Sequence, residues 1–314
     1  MIDVIVVNYN TAHLLQRMFD ACDAAAQGML LHYWVVDNAS RDNSVQVLRR
    51  DHPNAFVQVN EKNVGFGRAN NQMVEHLKGE YALLLNTDAF VAPSALQVAV
   101  DCLQRRSDVG VVGVRLTTED GQLQPSCRYF PTPWNMFLQR TGLSRWFSGV
   151  RMVDDYSWDH QGERECDWVP GCFLLIRKKV IDQIGLFDPR YFLYFEEVDL
   201  CKRIRAAGWK VLYTGATSAV HLGGESAKTV AKITQSGRQI SELQVESELL
   251  YVRKHHGLVG LWQHLALTHV ADVITVTKDV LKGRGWAAAR ERLKHGAAVR
   301  HMCALTHWGI KPTR

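Results

Sequence analysis

Two groups of acidic residues have types and spacings that can do chemistry. The first is a single carboxylate, Asp88, late in the stretch YALLLNTDAF at 81–90. Residues 81–85 are continuously apolar, the pattern of a strand buried on both faces of a parallel sheet. Asn86, Thr87 and Asp88 end it, and the carboxyl end of such a strand is where open α/β sheets bind ligands. A carboxylate there suits a hard divalent cation, which takes one or two carboxylates together with substrate phosphates. The chemistry implied is a metal–diphosphate site with Asp88 as a ligand. The plainer alternative is an Asp that opens a turn or caps the helix expected at 93–103. The second group is Glu196, Glu197 and Asp199, directly after the aromatic-rich stretch 191–195. At a helix N-terminus they face free N–H groups and the positive end of the dipole. Helical geometry puts Glu196 and Asp199 on one face and turns Glu197 about 100° away. Capping, with Lys202, Arg203 and Arg205 further along, accounts for one or two of these acids. Carboxylates crowded under an aromatic wall account for the whole pattern, because that setting lifts a carboxyl pKa toward that of a working base.

Other elements must hold these groups in place. Residues 2–7 are a β-branched apolar run, a buried first strand, ending in the polar loop Asn8-Tyr9-Asn10-Thr11. Residues 12–26 carry helical spacing through Leu15, Met18, Phe19 and Cys22. A second strand at 33–36 ends in Asp37-Asn38-Ala39-Ser40, and a helix follows at 42–50. Strand, helix and strand in this order form a right-handed parallel unit, which sets Asp37 beside the first loop. An acid there accepts a hydrogen bond from a ribose hydroxyl or a base N–H; turn-building with Ser40 is the alternative. After a strand at 56–59 comes Asn63-Val64-Gly65-Phe66-Gly67-Arg68-Ala69-Asn70-Asn71. Its glycines permit close backbone approach, and Arg68 can meet a phosphate. It is not a dinucleotide fingerprint, since Asn70 takes the third glycine position and the loop does not follow the first strand. The spacing then predicts a helix at 69–77.

Beyond Asp88 the strands expected are 108–114, 173–176, 211–213 and 218–220. Helices are expected at 177–184, closed by Gly185, and at 196–207, closed by Gly208. Residues 115–165 hold Pro125, Pro131, Pro133 and scattered aromatics without a period; a long insert covering a ligand cleft and a plain surface excursion are both open. His221 ends the last strand; a structural role and ligation through a neutral imidazole are both open. A helix is expected at 241–254. Leu258, Leu261, Trp262, Leu265, Val270, Val273, Ile274, Val280 and Leu281 then continue at helical spacing. A last helix carries Trp286, Leu293, Met302, Leu305 and Trp308 among Arg290, Arg292, Lys294 and Arg300.

The 314 residues, 46% hydrophobic and 22% charged, suit a globular chain with a full core. Seven cysteines without a CxxC pair favour free thiols in a reducing compartment. The N-terminus lacks the pattern of a signal peptide, and no window reads as a transmembrane helix. The net charge of +5 divides into −3 over 1–226 and +8 over 227–314. A basic tail calls for an anionic partner, a membrane surface or a nucleic acid.

VVNYNT at 6–11, VVDNAS at 35–40, NVGFGRANN at 63–71 and LLLNTD at 83–88 resemble, in this order, the N-terminal half of inverting nucleotide-sugar glycosyltransferases of family 2. Within that family the chain looks most like the bacterial rhamnosyltransferase-type members of surface-polysaccharide and lipopolysaccharide (O-antigen) assembly. The resemblance covers about residues 1–255. It implies the α/β GT-A fold, with a mostly parallel central sheet and helices on both faces. The organisation expected is a catalytic domain at 1–225, with a nucleotide-sugar half at 1–114 and an acceptor half at 115–225. A basic helical extension at 226–314 completes it.

The resemblance further implies that Asp37 contacts the nucleoside. Asp88 becomes the metal-bound Asp of a degenerate DxD motif whose first Asp is here Asn86. Asn8, Asn10, Asn63, Gly65, Arg68 and Asn86 are expected to join them on the nucleotide sugar. Trp168 and Gly171 are expected on the acceptor side. His221 is expected to join Asp88 at a Mg²⁺ or Mn²⁺ ion. The family's base is the second acid of a pair that precedes an Asp-Leu. By position it is Glu197, with Glu for the usual Asp, and Glu196 and Asp199 complete the catalytic group.

The implied reaction is metal-dependent, inverting transfer from a nucleoside diphosphate sugar to a saccharide or polyprenyl-linked saccharide. The donor is dTDP-rhamnose or another UDP- or GDP-sugar. The expected location is cytoplasmic, peripheral on the inner face of the membrane through the C-terminal helices, with no nucleic acid as partner. A nucleotide-binding non-transferase is the remoter alternative. A dinucleotide oxidoreductase lacks its glycine fingerprint after the first strand. A nucleic-acid binder would use the tail, whose apolar residues at helical spacing suit a lipid surface better than a phosphate-tracking groove.

Overall fold

The apolar run at the N-terminus forms β1 (Ile2–Asn8), buried along its whole length. A computed structural model describes residues 1–223 and 242–314, apart from the side chains at 285, 288, 289, 291 and 292. The expected boundary at 225/226, Gly224 and the first residue of the helix expected at 241–254 lie outside the described residues. Two compact units emerge. One holds Met1–Arg128, Asp154–Pro189 and the chain from Glu196 on to the end of the first described stretch. The other holds Tyr129–Val153, Arg190–Phe195 and the described C-terminal residues.

In the first unit β1, β2 (Leu31–Asp37), β3 (Phe56–Val59) and β4 (Tyr81–Asn86) lie parallel in the order β3-β2-β1-β4. Parallel neighbours need crossovers, and α1 (Ala12–Ala26), α2 (Ser44–Asp51) and α3 (Phe66–Asn71) lie between them in the chain. The sheet continues through β9 (Phe173–Arg177), β6 (Val109–Thr117), β10 (Lys210–His221) and β5 (Ala89–Val91). The short β7 (Leu123–Gln124) pairs with β6, and β8 (Glu163–Cys166) with β10.

The expectation of a mostly parallel sheet holds from β3 to β4 and for β6 on β10; β9, β5, β7 and β8 are antiparallel. The reason at β9 is the entry point. Its chain arrives at the carboxyl end of β4, where Asn86 N donates to the Cys172 carbonyl at 3.1 Å. Alternate residues Val4 and Val6 of β1 and Leu83 and Leu85 of β4 share one core with Leu15, Met18 and Phe19 of α1. Leu96, Ala99 and Leu103 of α4 (Ala95–Arg105) complete that core. Such period-two sharing is what strands packed under helices require.

Three elements differ from expectation. The helix expected at 69–77 is α3 followed by a short 3₁₀ turn (Val74–His76). Asn70 Nδ2 bonds the Phe66 carbonyl at 2.9 Å and Asn71 Nδ2 the Phe187 carbonyl at 2.7 Å, side-chain bonds that compete with helix propagation. The strands expected at 211–213 and 218–220 are one strand, β10, with an irregularity between Thr214 and Ser218. The insert at 115–165 contains a helix, α5 (Pro133–Thr141), whose N-cap Thr132 and Asn135 bond each other's backbone N–H. The helix at 177–184 is α6 (Lys178–Ile184), and that at 196–207 is α7 (Glu196–Ala206).

The second unit packs α5 with α8 (Glu242–Leu281), which turns at Gly257 (φ 68°), and contains α9 (Gly285–Leu305). Phe137, Leu138 and Ala271 form its small core, with Trp134, Leu267 and Ile274 against it.

Candidate active site

Register assembles the first part of the site. Asn8 is opposite Asp37, and Val7 opposite Asn86, so the carboxyl ends of β1, β2 and β4 lie side by side. Asp37 is fully buried, yet both oxygens are answered: Asn8 Nδ2 donates to Oδ2 at 2.7 Å and Ser40 N to Oδ1 at 3.0 Å. Ser40 Oγ accepts from Asn8 Nδ2 and Asn10 N, and Asn10 Oδ1 from Arg41 N at 2.7 Å. Thr11 Oγ1 joins Asn8 to Thr87 at 2.7 and 2.9 Å. One step out, Asn38 Nδ2 reaches Asn63 Oδ1 at 2.9 Å, and Asn63 Oδ1 also accepts from Gly65 N at 2.9 Å. Gly65 sits at φ 90°, a conformation that a side chain would strain. Asn8, Asn10, Asp37, Asn63 and Gly65 are thus one connected rim. Arg68 Nε donates to the Pro189 carbonyl at 2.7 Å rather than to any of these groups.

The second part pairs two residues 133 positions apart in the sequence. β5 runs against β10 with Ala89 opposite His221, and this brings His221 Nε2 within 3.5 Å of Asp88 Oδ1. Gln124 fixes the ring, with Oε1 3.0 Å from Nδ1 and Nε2 donating to the His221 carbonyl at 2.7 Å. Burial alone would lower the ring's pKa. The Cys172 sulfur and the Asp88 carboxylate outweigh it and push it up to about 11. Both neighbours thus favour the protonated ring.

A divalent cation fits this donor set. Asp88 offers oxygen, His221 offers nitrogen once its proton leaves, and the buried Asn86 Oδ1 has no hydrogen-bond partner among the described residues. No cluster of three or more His, Cys, Asp or Glu able to hold a metal occurs among the described residues; a cation held here would need further ligands, as substrate phosphates supply to hard cations.

The third part is the start of α7. Two residues before it, Tyr194 and Phe195, have φ of 70° and 67°, sparsely populated values for side chains of that size. Glu196 is buried, and a side chain at Gly67 would place its Cβ 3.7 Å from that of Glu196. Glu197 is half-buried, and a side chain at Gly171 would sit 3.6 Å from its Cβ and 3.7 Å from the Phe66 ring. Oε2 of each glutamate is buried without a hydrogen-bond partner among the described residues. Burial raises both carboxyls. For Glu196 the neighbouring Glu197 adds to the rise; for Glu197 its own N–H and the Arg128 guanidinium oppose it. Gly171 and Cys172 link the parts, one touching Glu197 and the other lying beside Asn86 and His221.

Asp199 is placed differently. It is fully buried and accepts from Arg203 Nε at 2.8 Å, the i,i+4 pair that the spacing predicts. Arg203 also donates to the Ile184 and Leu186 carbonyls, tying α7 to the end of α6. Asp199→Ala is expected to lower stability by about 3 kcal/mol, the range for breaking a buried ion pair by removing one partner. A thermal melt of the variant checks it. Trp168, expected on the acceptor side, is only 5% exposed and floors the Arg128 guanidinium at 4.4 Å. Thr11, Thr87, Asn38, Gln124, Cys172 and Arg128 were not among the site residues expected from the sequence. Thr11 and Thr87 carry a readable signal, small hydroxyls just past strand ends.

The chain is similar to known proteins. Over 239 residues the chain is 26% identical to the N-acetylglucosaminyl-diphospho-decaprenol L-rhamnosyltransferase of Mycobacterium tuberculosis, covering 70% of this chain and 76% of that protein. It is 23% identical over 230 residues to the rhamnosyltransferase WbbL of Escherichia coli, with 70% and 83% covered. A mannosyltransferase of Pyrobaculum calidifontis, solved with GDP-Man and Mn²⁺, superposes with a TM-score of 0.56 at 16% identity, over 99% of this chain and 88% of that one. The fold is thus of the GT-A type, a mixed sheet with helices and a C-terminal helical extension. The profile described as Glycosyl transferase family 2 matches residues 3–185, more than half of the sequence, and the chain belongs to that family of glycosyltransferases.

Proposed function

We propose that this enzyme moves a rhamnosyl group from dTDP-rhamnose to a hydroxyl of a lipid-linked saccharide, inverting the anomeric carbon, in the assembly of a cell-surface polysaccharide. The named relatives support the sugar. One of them is named for an N-acetylglucosaminyl-diphospho-decaprenol acceptor. The observation that carries the reading is the Glu197 carboxylate. It stands against Gly171 with one oxygen unpartnered among the described residues and a raised pKa.

The acceptor oxygen attacks C1 of the sugar as the C1–O bond to the diphosphate breaks. The bonding electrons leave with the diphosphate, and the acceptor proton passes to Glu197. Asp37, with lone pairs left beyond its bonds to Asn8 and Ser40, accepts from the nucleoside. Asp88 and His221 would hold a divalent cation, which when bound supplies positive charge against the leaving diphosphate.

The test is sugar-nucleotide hydrolysis and thermal shift with dTDP-, UDP- and GDP-sugars, with and without Mn²⁺. The expected result is the largest shift and fastest hydrolysis with dTDP-rhamnose plus Mn²⁺. A larger response to a UDP- or GDP-sugar would replace the donor. No response to any sugar nucleotide would overturn the reading.

A further inference from the structure

Helix α8 leaves exposed an apolar stripe that its packing within the unit does not use. After the turn at Gly257, the side it buries carries His264, Thr268, Asp272, Thr275 and Asp279. Those positions recur at the helical period beside the buried Leu261 and Ala271, so the buried side mixes polar and apolar residues. Its groups are answered within the same unit. Arg140 pairs with Asp272, Arg284 with Asp279 at 3.1 Å, and Glu248 with His264 at 3.1 Å. The side it leaves exposed carries Val259, Trp262, Val270, Val273, Val280 and Leu281, also at helical spacing, at 47–82% exposure. A helix packed only against its own protein keeps such residues inside and turns polar ones outward.

The charge around that stripe selects its partner. Between Leu258 and Arg314 there are nine Lys and Arg against three Asp and Glu. The two of those acids with described side chains, Asp272 and Asp279, are buried and paired, so among described side chains the exposed surface there is apolar and cationic. Trp286, 79% exposed, follows the stripe just past Lys282 and Arg284. Trp262 and Trp308, about half exposed, lie 5.1 Å apart. Tryptophan beside Lys and Arg is the chemistry of the headgroup layer, where the indole sits at the boundary and the cations meet lipid phosphate. A second copy of the chain would instead bring these cations against their own kind. The stripe from Val259 to Leu281 is about 33 Å long at 1.5 Å per residue. No helix among the described residues is long and apolar enough to cross a membrane, so a helix of this kind lies along the surface.

We infer that the outward face of α8 docks on an anionic lipid surface, with Val259, Trp262, Val270 and Val273 entering the headgroup boundary. The inference goes beyond the donor and acceptor reading and does not need it, because docking is measured with no sugar nucleotide present.

The experiment is co-sedimentation of the full chain with vesicles of phosphatidylcholine alone and of phosphatidylcholine with about one quarter phosphatidylglycerol. The full chain is expected to sediment with the anionic vesicles and several-fold less at high salt. Val270→Glu/Val273→Glu is expected to bind at least about tenfold more weakly, since fully burying even one Val side chain is worth roughly a factor of ten. Both positions face solvent, so far-UV dichroism and sugar-nucleotide hydrolysis stay as in the parent. Lys282→Glu, at an exposed position, is a second route to the same loss. Deletion of α8 is avoided because it would strip Ala271 from Phe137 and Leu138. Absence of the parent chain from the anionic pellet overturns the inference, as does equal sedimentation of parent and both variants. A parent dimer that light scattering shows the valine variant to dissolve, with no vesicle binding, assigns the face to a second copy instead. Vesicle binding by a chain that hydrolyses no sugar nucleotide would keep the docking face and remove the proposed donor.

Discussion

Glu197→Gln is expected to lower kcat by about 10²–10⁴-fold, the usual loss on removing a general base, with nearly unchanged affinity for the sugar nucleotide. The three acids of α7 have three different surroundings. Asp199 is fully buried and committed to Arg203. Glu196 is more deeply buried, at 4% exposure, with its Cβ toward Gly67. Glu197 is half-buried beside Gly171, with one oxygen unpartnered among the described residues. Its carboxyl is raised by burial above the ordinary 4.5. A base works ionised, so kcat/KM should climb with pH through that raised pKa and fall on acidification. In Glu197→Gln that limb should disappear. Steady-state kinetics across pH, with calorimetry for nucleotide affinity, checks both halves. Parent-like transfer by Glu197→Gln together with a folded, inactive Glu196→Gln would move the base to the neighbour.

The second large effect is expected at Asp88. Asp88→Ala should cost at least the roughly 10–100-fold in metal affinity that changes one shell further out produce, and metal-dependent binding of the nucleoside diphosphate should go with it. The fold should survive, because Asp88 lies between β4 and β5 and its backbone carbonyl, which the change keeps, accepts from Leu222 N at 3.0 Å. His221→Ala removes the nitrogen donor and should weaken binding less, since phosphate oxygens and Asp88 remain. Calorimetry with a nucleoside diphosphate in Mn²⁺ reads both. Unchanged affinity in Asp88→Ala would sink the assignment.

What was readable in the sequence follows from how local each signal is. The parallel strands β1 to β4 and helix α1 declare themselves by runs of apolar residues and by the spacing of Leu15, Met18, Phe19 and Cys22. The strand-end polar residues Asn8, Asp37 and Asn86 follow, because the side-by-side arrangement of parallel strands is implied by their order. The pairing of Asp88 with His221 was reached only through resemblance. β5 is three residues long, and its partner lies some 130 residues on, a separation no local pattern bridges. The Gln124 clamp sits on a two-residue strand that no periodicity reveals. Helix α5 was missed for a different reason. Thr132, Pro133 and Asn135 form a capped start, with proline where it is tolerated, but three prolines within nine residues suggested an irregular loop. On α8 the stripe was visible, but not which side of it would be buried. That depends on Arg140 and the other groups that answer its polar residues.

The second unit's small core sets a clock on synthesis. Phe137 and Leu138 are made early, before β8, β9 and β10, yet the residue that completes their burial, Ala271, follows more than a hundred positions later. At ordinary elongation rates the gap is on the order of ten seconds. Through that interval α5 stands outside the ribosome with its apolar side uncovered, a nascent-chain surface that a chaperone can occupy. Helix α5 follows four described helices in synthesis, yet its cover comes only with α8.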